Sequence, residues 1–186
     1  VKDIGKYRGN ELKYIKQVLG TGVLNSTSGD FTYKFEQEFA NKFDSKYAIA
    51  CNSGTAALHM SLEGVGVGYG DEVIVPALSV IMNTTSVLHN NAIPVYADVD
   101  KDSFTIDPED VKKKITSNTK AIVSVSLYGY PSKVEELRKV SKNIPIIEDN
   151  AEHLGILRSN VATYSLEGTK HFSAGEMGVV LTNDEN

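Results

Sequence analysis

The hydrophobic positions fall into two regimes. In the first, Leu12, Ile15, Val18 and Leu19 recur at helical spacing, and Gly20 supplies a stop. Phe31, Phe35, Phe39 and Phe43 lie four apart, so a second helix presents an aromatic stripe, read as core packing and not as a ligand box. Residues 1–45 thus form an N-terminal helical segment, and residues 46–186 form the main domain. From position 47 the pattern becomes short apolar runs alternating with helices. The expected strands are Tyr47–Cys51, Glu72–Val75, Pro94–Asp98, Ala121–Leu127, Pro145–Glu148, Ala162–Leu166 and Val179–Thr182. Most are nearly uniformly apolar, as strands covered on both faces of a largely parallel sheet must be. Asp107-Pro108 predicts a capped helix start, and Ser132 with Glu135 predicts a capping box ahead of Val134, Leu137 and Val140. This alternation implies an open α/β sheet with ligands at the carboxyl ends of its strands.

Composition narrows the function classes. With 41% hydrophobic and 23% charged residues, the 186-residue chain has the make-up of an ordinary globular domain. A net charge of −5 without a basic stripe argues against a nucleic-acid partner. No apolar run approaches the roughly 20 residues of a membrane span, so no membrane partner is expected. Val1 to Gly9 lack the apolar stretch of a signal peptide, which sets the expectation of a cytoplasmic protein. The single cysteine, Cys51, excludes an intrachain disulfide and reads as filler at a strand's end.

Four clusters follow predicted strands. Asn52-Ser53-Gly54-Thr55-Ala56-Ala57-Leu58 joins a strand to a helix, and its small residues and free N–H groups suit a phosphate, or merely a tight turn with a cap. Glu148-Asp149-Asn150-Ala151-Glu152-His153 closes a strand with carboxylates that can bind metal, act as a base, hold a protonated ring nitrogen or cap a helix. Tyr164-Ser165-Leu166-Glu167-Gly168-Thr169-Lys170 places a lysine beyond a buried strand, before His171. Desolvation and nearby positive charge there would raise its free-amine fraction. Gly175-Glu176-Met177-Gly178 reads as a glycine turn into the last strand. Together, a phosphate cup, an acid and a lysine meet the needs of pyridoxal 5'-phosphate (PLP), each from the end of a different strand. No metal set emerges.

Asn52–Leu58, Gly70–Pro76, Glu148–Gly155, Ser165–Lys170 and Gly175–Asp184 resemble, in order, the motifs of the DegT/DnrJ/EryC1/StrS sugar aminotransferases. The resemblance implies the fold type I architecture: a three-layer α/β/α large domain on a seven-stranded, mostly parallel sheet whose last strand is antiparallel. A C-terminal small domain would lie beyond Asn186. It implies that Lys170 is the Schiff-base lysine and proton shuttle, and that Asp149 keeps the pyridine nitrogen protonated. Glu152 would lie near the cofactor's phenolic oxygen, with Ser53, Gly54, Thr55 and Ser165 in the phosphate cup. Val80 occupies the position where family members commonly stack an aromatic on the ring. It further implies a homodimer that transfers an amino group, from a donor such as glutamate, to a keto sugar nucleotide; Lys170 favours transamination over dehydration. Another fold type I PLP enzyme, such as a lyase or amino-acid aminotransferase, and a PLP-binding module without turnover remain alternatives at this point.

Overall fold

The computed structural model describes residues 9–185. Seven strands form one sheet: β1 (Tyr47–Cys51), β2 (Glu72–Pro76), β3 (Ile93–Ala97), β4 (Thr119–Val125), β5 (Ile146–Asp149), β6 (Val161–Ser165) and β7 (Gly178–Thr182). Their order across the sheet is β1-β7-β6-β5-β4-β2-β3. All pairings are parallel except those of β7, which runs antiparallel to both β1 and β6. Six strands therefore end at one edge of the sheet, and β7 begins there. Every expected strand forms, with ends shifted by no more than two residues.

The sheet is sandwiched. Helices α3 (Gly54–Gly64) and α4 (Ile81–His89) cover one face, where Leu58, Leu62 and Val87 pack on Val73, Val75, Val123, Ile147 and Val180. On the other face lie α2 (Asp30–Lys42), α5 (Pro108–Lys114) and α6 (Val134–Ser141). Val111 and Leu137 meet Ile74, Ile122 and Ile146 there, while Phe39 and Phe43 meet Ala162, Tyr164 and Leu181. Successive residues of one strand thus feed opposite cores, which is why the central strands are mostly apolar. The aromatic stripe is core, as its spacing implied: Phe39 lies 4.5 Å from Phe43 and 5.4 Å from Tyr164, ring centre to ring centre. Such contacts add about 0.5–1.5 kcal/mol each beyond burial. Burial pushes the Tyr164 hydroxyl up to about 12.

Two local expectations fail. Helix α1 (Glu11–Thr21) runs through Gly20, and its left-handed cap falls at Gly22 (φ 71°), whose N–H reaches the Leu19 carbonyl. The Ser132–Glu135 capping box does not form. The Ser132 hydroxyl turns inward to Ser124, and Glu135 instead pairs with Arg138 at 2.9 Å, leaving α6 without a side-chain cap. A buried hydroxyl needs a hydrogen-bond partner, and Ser124 supplies it. The Asp107 cap does form, accepting from the Glu109 N–H at 3.0 Å with Pro108 opening the helix. No described helix is long and apolar enough to cross a membrane.

Candidate active site

Three features meet at the carboxyl edge of the sheet. The first is a seam between β1, α3 and β6. Ser53 stays extended (φ −164°, ψ 162°), and its hydroxyl accepts the Ala56 N–H at 3.1 Å, which starts α3 at Gly54. A Cβ on Gly54 would lie 2.8 Å from the Ser165 Cβ, and one on Gly178 would collide with the Ser53 carbonyl. Glycine at both places lets the start of α3, the end of β6 and the start of β7 touch. Gly54, Thr55 and the half-buried Ser165 thus surround a helix N-terminus whose first N–H groups have no partner within the helix.

The second is Asp149, which ends β5 and is 3% exposed. Its Oδ1 accepts the Ala151 N–H at 3.0 Å, closing a turn; no helix follows, so it does not act as a helix cap. Burial pushes its carboxyl above the usual range. The Ala151 N–H, the facing Asn83 amide and the Lys170 charge pull it back in part, while Glu152 adds to the rise. The neighbouring Glu148 is fully buried but well met: Arg158 donates through Nη2 at 2.7 Å and through its backbone N–H at 3.0 Å. This clamp holds the 155–160 segment against β5.

The third is Lys170, whose Nζ lies 3.5 Å from Glu152 Oε1. The other Glu152 oxygen accepts the Tyr128 N–H at 2.8 Å. Tyr128 adopts a left-handed conformation (φ 53°, ψ 24°), which costs a non-glycine residue about 1–2 kcal/mol and aims that N–H at the carboxylate. A hollow of about 350 Å3 opens between Tyr128, Gly129, Glu152, Thr169, Lys170 and His171. His171 lines the same hollow as Lys170, and the Glu152 carboxylate, which sequence reasoning had not placed against the lysine, forms its ion pair. Val80 stands at the start of α4, 43% exposed, outside the wall of this hollow. A hollow of about 1030 Å3 beside Lys46 and Gly64 lies at the opposite edge, away from the lysine and Asp149.

Residues 6–186 match the model of the DegT/DnrJ/EryC1/StrS aminotransferase family. The chain belongs to that family. Among its relatives are proteins called GDP-perosamine synthase: one from Caulobacter vibrioides is 39% identical, matching 96% of this chain and 50% of the relative. One from Escherichia coli O157:H7 is 35% identical, matching 95% and 51%. A solved structure of NtdA from Bacillus subtilis, with bound cofactor PMP, superposes with a TM-score of 0.88 at 32% identity, over 94% of this chain and 41% of that one. The chain therefore spans about half the length of the curated relatives it matches.

Of the residues expected from sequence, the fold brings Ser53, Gly54, Thr55, Ser165, Asp149, Glu152 and Lys170 to one edge, with Val80 on the adjoining helix. Tyr128 and Asn83 were missed. Gly129 after β4 was a usable sign of a turn, whereas nothing in the run Ile81–Leu88 marks Asn83 as facing a carboxylate.

Proposed function

We propose that this chain forms the PLP-binding half of a cytoplasmic, homodimeric aminotransferase that moves an amino group from a donor such as glutamate to a keto sugar nucleotide. The observation that carries the reading is the meeting of a lysine, a buried carboxylate and a glycine-opened helix N-terminus at one sheet edge. The fit to PLP rests on the seam itself. Gly54 lets the end of β6 close on the start of α3, which brings the Ser165 hydroxyl beside the anion-favouring helix N-terminus and suits a phosphate there. The buried Asp149 suits a basic ring nitrogen.

When bound, PLP supplies an electron sink for the carbanion left by proton removal. Lys170 would hold the cofactor, and its Nζ would be the group that moves a proton at the substrate carbon. Glu152, fixed by the Tyr128 N–H, keeps that amine near the hollow. Asp149 would face the ring nitrogen and, as a carboxylate, favour its protonated form by charge. Ser53, Gly54, Thr55 and Ser165 would hold the phosphate end, and Val80 would offer the ring a smaller contact than an aromatic residue. A second copy would cover the exposed Leu78, Val80, Ile81 and Met82 beside the site and exclude water. The relatives named GDP-perosamine synthase support a nucleotide-linked sugar as acceptor.

A two-stage assay tests this. PLP-loaded protein should change its cofactor spectrum to the pyridoxamine form on adding glutamate. A GDP-linked 4-keto sugar should then restore the first spectrum and yield an amino sugar. No spectral change with glutamate or with other amino donors would overturn the aminotransferase reading.

A further inference from the structure

Asn150 lies between Asp149 and Glu152 in the turn after β5 and is 2% exposed. Its N–H donates to the Thr163 carbonyl of β6 at 2.8 Å, and its carbonyl accepts the His153 N–H at 3.1 Å. Its side chain reaches both strands that flank β5. Oδ1 accepts from Ser126 Oγ, just past β4, at 2.9 Å, and Nδ2 donates to the Tyr164 hydroxyl of β6 at 3.4 Å. The ends of this chain of bonds fix its direction. Ser126 Oγ takes the Ser132 N–H at 3.2 Å and still has a proton for the amide oxygen. Tyr164 gives its own proton to the Gly155 carbonyl and keeps a lone pair for the amide NH2. A buried network satisfied at each link is rigid, and removing one link leaves costly unpaired groups.

The strand ends joined in this way carry the site. Beyond Ser126 comes the Tyr128 N–H that holds Glu152, and the Ser126 N–H itself donates to the Asp149 carbonyl at 3.0 Å. Next to Tyr164 stands Ser165, from which the chain runs on to Lys170. We propose that Asn150 is a positioning residue: its buried amide ties β4, β5 and β6 together at their carboxyl ends and so sets Asp149 and Glu152 against the cofactor. The inference rests on the PLP reading. Asn150 acts through its neighbours and needs no contact with the ligand. Its two-sided amide is what the place requires, because aspartate has no N–H for Tyr164 and leucine meets neither partner. If the end of β5 shifts against β4 and β6, the Asp149 carboxyl moves relative to the ring nitrogen. The loss therefore reads out in the protonation of bound PLP as well as in stability.

The test uses protein loaded with PLP labelled with 15N in its ring and titrated with pH. In Asn150→Ala the ring nitrogen should give up its proton at lower pH, since a displaced carboxylate favours the charged ring less. The PLP dissociation constant should rise roughly tenfold, as for a weakened contact to a charged group. Tyr164→Phe removes one arm of the network without opening a cavity and should shift the titration the same way by less; it carries the test where the alanine variant does not fold. Adding Asn150→Ala to Asp149→Asn should move the resonance no further, because the effect runs through Asp149. An unmoved titration in folded, PLP-loaded variants would overturn the assignment and leave Asn150 as a structural link. So would an equal shift in the Asp149→Asn background, or loss of fold in both single variants. Borohydride fixation on Lys170 in the unsubstituted protein separates the two levels. Its failure sinks the PLP reading itself, whereas its success with an unmoved titration sinks only the role of Asn150.

Discussion

Asp149 ends one parallel strand and Asp100 follows another, and both accept backbone N–H groups in a turn, yet they are driven in opposite directions. Asp100 lies three residues beyond β3 and is more than a quarter exposed. It accepts from the Ser103 N–H at 2.8 Å, the Ser103 hydroxyl at 2.9 Å and the Asp102 N–H at 3.1 Å, and pairs with Lys133 at 2.9 Å. The Lys133 bond first, then the Ser103 and Asp102 donors, hold its carboxyl well below the usual carboxylate range. Asp149 has fewer donors and little water, so burial wins and its carboxyl is pushed up. The number of donors within reach, set against the loss of solvent, decides the direction in which each aspartate is driven.

Substitution should separate the two. Asp149→Asn removes the charge that holds the ring proton while keeping the shape. The glutamate half-reaction should slow on the order of 10²–10³-fold, the scale of a lost electrostatic contact to a developing charge. The fold should survive, because a neutral amide has no charge to strip of water. Stopped-flow spectra beside thermal melts check both points, and a normal rate would reduce Asp149 to a turn residue. Asp100→Asn should leave that rate unchanged and lower stability modestly, since its ion pair is partly in water.

The pH dependence of cofactor-free protein sharpens the contrast. A lowered folded value means that Asp100 contributes stability fully present above the unfolded aspartate range. That stability is lost as pH falls below about 4. A raised folded value means the reverse for Asp149: the folded chain keeps a proton the unfolded chain has lost, so stability declines as pH rises from about 4 to the folded value. Melts from acid to neutral pH should therefore lose their acid limb in Asp100→Asn and their alkaline decline in Asp149→Asn. The same profile in both variants would erase the distinction.

How much of this was legible in the sequence follows from which interactions are local. Strand runs such as Val73-Ile74-Val75 are apolar because both faces are covered, and that signal lies in consecutive residues. The cap at Asp107 was legible for the same reason. Ser132 was not, because its partner Ser124 is on a neighbouring strand and the local pattern S-x-x-E fitted a cap equally well. The residues ending strands were found through their positions and the family resemblance. Asn83 and the Tyr128 N–H act on residues from β5 and the turn after it, far along the chain, and no local pattern carries such a pairing. The Glu152 partner of Lys170 was not legible either, since the two lie 18 residues apart on separate turns.

The central claim is that Lys170 carries PLP at the edge shared with Asp149. The direct measurement is borohydride reduction of PLP-loaded protein, followed by digestion and mass mapping of the pyridoxyl-modified peptide. The account predicts modification of the peptide containing Lys170, and its loss in Lys170→Ala. Modification of a different lysine, or none after PLP addition, would contradict it.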